Sequence, residues 1–340
     1  MQRDRQAARG ATATGIIAAL LGIVLFAWYV REAGAEEIWL KVLQVGWGLA
    51  VIVLLAGLRF AARALAWTWC VERPHVLPFP HAFAAVVCGD AFGNLTPLGP
   101  IVGEPAKAAY VRGTVPLGSA LTALAIENLI YTLSVVAMIA AAMVALIFSF
   151  KLPDTVLDAS EILVALLVVA LVVAGVTLWR RPTVVSQALA TLLPAGPSFQ
   201  GRIDRVRAIE HQIYTFAARR PAAATAVVSA EAVFHALGVL ELYVTWWMMM
   251  GTAPALLLAF VLEGANRLVT VVFKIVPLRL GVDETSTGAF TQLLGYGPTP
   301  GATLAILRKA RVLCWTVAGT ALLVRRGLSP RRILQGTQVP

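Results

Sequence analysis

Long apolar runs separated by short polar segments set the pattern of this chain. They extend from Gly15 to Val30, Val42 to Leu58 with an extension toward Cys70, Leu117 to Phe148, Ile162 to Trp179, Ala222 to Met250, Ala255 to Ile275 and Gly301 to Leu323. Most reach the roughly 20 residues that a helix needs to cross about 30 Å of hydrocarbon. Membrane-spanning helices are therefore the predicted elements.

Two stretches depart from this pattern. Over residues 81–113 an apolar piece ends near Asn94, and Thr96-Pro97-Leu98-Gly99-Pro100 cannot continue a helix. Glu104-Pro105 then opens a second short helix that stops at Gly113, with Pro105 in its first turn. Neither half spans a bilayer, and both ends approach the same positively charged side. The prediction is a re-entrant helical hairpin, whose irregular backbone must be enclosed by protein or a wet cavity. The second stretch, 255–297, repeats the design: Pro277-Leu278 precedes Gly281 and Glu284 as Pro97-Leu98 precedes Gly103 and Glu104, with the same seven-residue step from proline to glutamate. The helix after Pro298 must start outside to reach Arg325 inside, so this hairpin enters from the opposite face. Paired interrupted helices of opposite orientation point to an inverted-repeat transporter with its site where the breaks meet. The expected fold is an all-α polytopic membrane protein, a single transmembrane domain over residues 1–340, with about six full spans and two oppositely oriented re-entrant hairpins.

Composition agrees. Hydrophobic residues make up 59% and charged residues 14%, against roughly 25% charged in soluble domains, which excludes a water-soluble globular enzyme. The net charge of +10 comes from Lys and Arg flanking apolar segments, which fits an anionic bilayer surface better than nucleic acid. Arg3, Arg5 and Arg9, then Arg59, Arg63 and Arg73, then Arg180, Arg181, Arg202, Arg205, Arg207, Arg219 and Arg220, and finally Arg325, Arg326, Arg331 and Arg332 are assigned to one side. Glu32, Glu36, Glu37, Asp154, Asp158 and Glu161 mark the other. This places both termini in the cytoplasm and the protein in the cytoplasmic (inner) membrane. Ala33 to Ala35 resembles a signal cleavage site, but a retained amino-terminal anchor is the favoured reading. Residues 181–220 read as a cytoplasmic linker in which Ile203, Val206, Ile209, Ile213 and Phe216 recur at helical spacing, as in an amphipathic helix lying on anionic lipid, with a soluble connector as the alternative.

Ionisable residues inside apolar runs carry the candidate chemistry, since each costs a few kcal/mol at the bilayer centre. If Arg308, Lys309 and Arg311 lay outside the membrane, only Val312 to Val324 would remain, thirteen residues or about 20 Å, too short to span. At least Arg308 or Arg311 is thus expected in a polar cavity, the alternative being a locally thinned bilayer with snorkelling side chains. Glu263 and Arg267, four apart beside Asn266, read as a structural ion pair. Glu231 and His235 share that spacing and form a possible proton relay, although a packed histidine is the commoner arrangement. These two ligands alone do not complete a metal shell, and Cys70, Cys88 and Cys314 are too scattered for a disulfide or zinc framework. No metal or bound cofactor is expected. Glu104 and Glu284 either cap helix ends or orient cations such as Lys107, Arg308 and Arg311 toward an anionic lipid head.

Asn94-Leu95-Thr96-Pro97, Gly103-Glu104 with Lys107, Glu127, and the segment from Pro277 to Glu284 together resemble the flippase-like transmembrane domain family found fused to lysylphosphatidylglycerol synthases and also standing alone. The resemblance covers nearly the whole chain. It departs from the common pattern at Asn128, Tyr131 and Asp283, and no segment here matches the soluble synthase domain. The resemblance implies movement of an amphipathic, anionic or zwitterionic lipid between leaflets. Two other classes remain open. A lipid-modifying enzyme would use Glu127, Glu231 and His235 as acid and base, although no His-Glu-x-x-His, Gly-x-Ser-x-Gly or phosphate-loop motif is present. A lipid-binding scaffold would hold lipid without moving it. The expectation is a transporter and not an enzyme.

Overall fold

A computed structural model describes residues 31, 35–95, 99–180, 186–187, 190–191, 197–273, 276 and 279–325. The amino-terminal apolar stretch, Pro97, Pro277 and the arginines beyond Arg325 lie outside the described residues. The helices are α1 (Ala35–Val45), α2 (Gly48–Cys70), α3 (Phe79–Leu95), α4 (Gly99–Tyr110), α5 (Leu117–Ser149), α6 (Asp154–Arg180), α7 (Pro197–Arg219), α8 (Pro221–Met250), α9 (Leu256–Val272), α10 (Val282–Leu293) and α11 (Pro298–Arg325). No strand occurs among the described residues. The chain is a multi-pass membrane protein: α2, α5, α6 and α8 are each long and apolar enough to cross a bilayer. At 28 residues α11 also has the length, about 42 Å at 1.5 Å per residue, but it carries the three cations noted above.

Local chemistry explains the helix ends. Pro221 opens α8, where its missing N–H is not needed, and Gly251 closes it with a left-handed φ of 72°. The approach to α10 turns sharply, with φ of 47° at Arg279 and 76° at Gly281; only the second is an easy glycine conformation. Glycine also decides how closely α3 and α4 approach. A Cβ added at Gly89 would come within 2.9 Å of the Gly103 carbonyl oxygen, and one at Gly103 within 2.9 Å of that of Gly89.

The helices on either side of the breaks match in length. α3 and α9 have 17 residues each, α4 and α10 have 12 each, or about 26 Å and 18 Å. One expectation is corrected here. α4 begins at Gly99, so Pro100 occupies its first turn and both Glu104 and Pro105 lie inside the helix. Glu104 is therefore not at a helix start, whereas Glu284 is in the first turn of α10. The two-residue signal Gly-Pro at 99 and 100 already supplied a helix opening, and the later proline is accommodated within.

α2 and α8 pack along each other at the centre. α3 packs on α4, α2 and α11, while α9 packs on α10, α8 and α5. Association within lipid relies on close packing and polar pairing more than on hydrophobic drive. Accordingly the core mixes small residues such as Ala64, Ala82, Ala85 and Ala106 with the fully buried ring of Trp67. α6 packs on α5 and its apolar window presents no buried side chain to the rest of the molecule. In the linker, Ile213 and Phe216 of α7 pack into the same core as Trp67. Arg220 donates to the Val71 carbonyl oxygen (3.0 Å), which fastens the linker to the end of α2.

Candidate functional site

Three ion networks occupy the interior, and α2 supplies an arginine to two of them. In the first, Arg63 donates Nε to Glu127 Oε1 (2.7 Å) and Nη2 to Glu127 Oε2 (2.8 Å), a fork-to-carboxylate geometry that is strong and directional. Nη2 also reaches Asn128 Oδ1 (3.1 Å), and the guanidinium lies 3.9 Å from the centre of the Tyr131 ring. Asn128 relays the network by donating Nδ2 to Glu104 (2.9 Å), whose other oxygen accepts from Lys107 (2.7 Å). Nearby on α8, both oxygens of buried Glu231 lack a hydrogen-bond partner. His235 Nε2 lies 2.9 Å from the Ser134 hydroxyl.

The second network joins α2, α8, α9, α10 and α11. Glu241 accepts from Arg59 (2.9 Å) and from Arg311 through both oxygens (2.5 Å). Glu263 pairs with Arg267 (2.7 Å) and more distantly with Arg59 (3.6 Å). Gly238 makes that possible, since a Cβ there would meet the Glu263 carboxylate at 2.7 Å. Arg308 donates Nη1 to Asn266 (2.7 Å) and weakly to Thr287 (3.4 Å). Two guanidiniums approach the Phe234 ring, Arg59 at 4.7 Å and Arg267 at 4.9 Å from its centre. Four arginines thus face two carboxylates, and Arg308 Nη2 and Arg267 Nε remain buried without a hydrogen-bond acceptor. A cavity of about 10 Å³, lined by Arg59, Gly238, Glu241, Thr245, Glu263 and Arg308 among others, lies between them. That is room for about one water.

The third network sits beside the second break. Lys309 contacts Glu284 (2.6 Å) and Asp283 (3.6 Å), while Arg279 pairs with Asp283 (3.0 Å). Lys309 also donates to the Arg279 carbonyl oxygen (3.3 Å), which holds the turn against α11.

The sequence-derived residues divide among these networks. Glu104, Lys107 and Glu127 meet in the first, and Asn94 stands apart, donating to Asp90 (2.9 Å). Arg308 and Arg311 meet Glu263 and Arg267 in the second, and Gly281 and Glu284 belong to the third. Glu104 and Glu284 share no partner: the first holds Lys107 and Asn128, the second Lys309. Arg59 and Arg63, assigned above to a cytoplasmic positive cluster, are instead buried in the middle of α2 and paired with Glu241 of α8 and Glu127 of α5. The run from Val42 to Leu58 and its extension toward Cys70 form one helix from Gly48, so both arginines fall in mid-helix. Arg59, Glu241, Asn266 and Lys309 were not chosen as site residues. Their signal was present, for each is an ionisable or amide side chain within an apolar run.

The decisive comparison covers most of the chain: the sequence profile described as the lysylphosphatidylglycerol synthase TM region matches residues 15–319. The chain belongs to that family. No curated protein and no solved structure matches it. Membership in the lysylphosphatidylglycerol synthase transmembrane-region family ties the chain to membrane-lipid metabolism or transport. In this member Asn128, Tyr131 and Asp283, the departures noted in the sequence, all carry network contacts.

Proposed function

We propose that the chain moves an amphipathic lipid with a phosphate-bearing head between leaflets, without altering it chemically. The observation that carries this reading is the cation-rich second network, where four arginines face two carboxylates inside a helical bundle and two guanidinium nitrogens lack acceptors. Burying unmatched positive charge is unfavourable in an apolar medium, and a lipid phosphate supplies the missing acceptors. The cavity between the arginines is too small for a phosphate, so the head enters when helices separate and the present arrangement is a closed one.

The packing supports alternating access. Exchanging α2 with α8, α3 with α9, α4 with α10 and α5 with α11 leaves the neighbour relations in place: the α3 contact with α11 becomes the α9 contact with α5. This is the relation expected of two inverted repeats with re-entrant hairpins α3–α4 and α9–α10. We place the protein in the cytoplasmic membrane with both termini inside, and α7 along the inner surface, where exposed Arg207 and Arg219 meet anionic lipid.

Reconstitution tests the reading. Vesicles of phosphatidylethanolamine and phosphatidylglycerol, carrying fluorescent phosphatidylglycerol in one leaflet, should show protein-dependent redistribution to the other leaflet with the lipid mass unchanged. A changed mass would identify an enzyme instead. Binding without redistribution would identify a scaffold.

A further inference from the structure

We infer that Glu231, with His235 and Ser134, forms a proton-binding site that couples lipid movement to the proton gradient. Glu231 is 1% exposed, and neither carboxylate oxygen has a hydrogen-bond partner. Its neighbours explain why it stands alone. Of the cations acting on it, Arg63 is held by both oxygens of Glu127 and Lys107 is held by Glu104. The first network therefore has two cations, both already held, and Glu231 is left without one; Asp90 of α3, on which Lys107 also acts, accepts from Asn94 instead. An ionised carboxylate buried without a partner is strongly unfavourable, and a bound proton removes that charge.

The other neighbours leave it no alternative partner. From α2 come Arg59, Arg63 and Cys70, from α5 Glu127 and Tyr131, and from α4 Lys107. On α9 and α11, Glu263, Arg267, Arg308 and Arg311 are engaged in the second network. Glu210 of α7 accepts from the Ser186 backbone, and Lys41 of α1 pairs with Glu37. His235 lies one turn along α8 from Glu231, on the same face. Its Nε2 is engaged by Ser134 while its Nδ1 is buried with no partner. Arg59 and Arg63 already place two cations around the imidazole, so the resting proton belongs on Glu231 and His235 relays it. A proton fits better than a metal ion, because no group of three or more His, Cys, Asp or Glu side chains assembles among the described residues.

The cycle moves a proton without other chemistry. A proton from water on one side joins a Glu231 carboxylate oxygen, Arg63 remains with Glu127, and the bundle stays closed. Loss of that proton to the other side leaves a carboxylate that competes for Arg63, which loosens the α2–α5 link and opens the bundle. This coupling role rests on the transport reading above, whereas the proton site itself does not.

Two measurements on the full chain separate them. Infrared pH-difference spectra of the protein in phosphatidylglycerol vesicles should contain a protonated-carboxyl band that is lost in Glu231→Gln, is retained in Glu210→Gln, and titrates at a shifted pH in Ser134→Ala. In proteoliposomes, an imposed pH gradient should skew the leaflet distribution of fluorescent phosphatidylglycerol, and Glu231→Gln should abolish that skew. Should Glu231→Gln not yield folded protein, the Ser134→Ala titration shift serves as the deciding comparison, and no shift overturns the site. A band unaffected by Glu231→Gln overturns it as well. Lipid that moves at the normal rate with a gradient-insensitive or sodium-dependent distribution overturns the coupling. A band that behaves as expected with no lipid movement under any condition overturns the transport reading and leaves the proton site standing.

Discussion

Arg63 and Glu127 form a buried, two-bond pair, and its strength depends on both members being present. Removing one partner leaves a charge in a medium that cannot solvate it, which costs about 3–5 kcal/mol, whereas replacing both with apolar residues is often close to neutral. Arg63→Met and Glu127→Leu should each lower the thermal unfolding temperature in detergent, and the double variant should recover most of the loss. Arg207 and Asp204 are a control, since that pair is largely exposed and contributes about 0–1 kcal/mol. The same contrast applies to lipid binding. Arg308→Ala and Arg311→Ala should weaken retention of phosphatidylglycerol through purification, measured by mass spectrometry, while Lys151→Ala, at an exposed position, should leave it unchanged. At this scale the sequence was legible wherever a charge interrupts an apolar run. Arg308, Arg311, Glu127 and Glu231 announce themselves that way. Which carboxylate meets which arginine was not legible, because Arg59 and Glu241 are 182 positions apart and no local spacing encodes their meeting.

Helix pairs show how far local rules reach. Gly103 was noted for its place before Glu104, but its structural reason is the crossing with Gly89, which required knowing that α3 folds back on α4. Gly103→Ala would press a methyl group against a backbone carbonyl oxygen, so it should lower the unfolding temperature and slow lipid movement. Gly118, exposed near the start of α5, has no neighbour for such a methyl group, and Gly118→Ala should be neutral or stabilising by about 0.5–1 kcal/mol. The positions of the breaks were readable from proline and glycine. The helix start at Gly99 was missed because two proline signals, Pro100 and Pro105, compete within six residues, and only tertiary packing selects between them.

Across the molecule, the paired glutamates differ more than their matching distance from a proline implied. The Glu284 side chain is fully buried against Lys309, while that of Glu104 is 32% exposed. Glu284→Gln should therefore lower stability first, measured by thermal unfolding, because it leaves Lys309 short of a counter-charge. Glu104→Gln should leave folded protein with impaired lipid movement in proteoliposomes. A repeat in chain architecture thus carries different chemistry in its two halves, with a part-exposed glutamate after one break and a fully buried one after the other. The overall helical class followed from hydropathy alone, since lipid leaves a spanning backbone few choices. The neighbour relations did not, because they depend on contacts between helices distant in sequence.

The three cations on α11 have a mechanical consequence. Arg308, Lys309 and Arg311 occupy about one turn, yet they hold α9, α10 and α8 respectively. Turning α11 by one residue, about 100°, would unseat all of them together. The helix behaves as a plug with three pins, which comes out whole or stays in. Helices α8 to α11 are thereby pinned into one block, to which Arg59 ties α2 as well. Among the described residues no ion pair joins α3 to α11 or α5 to α9; at the first contact the bare backbone of Gly319 rests against Val87 and Ala91, and its carbonyl oxygen accepts weakly from the Cys88 thiol (3.5 Å).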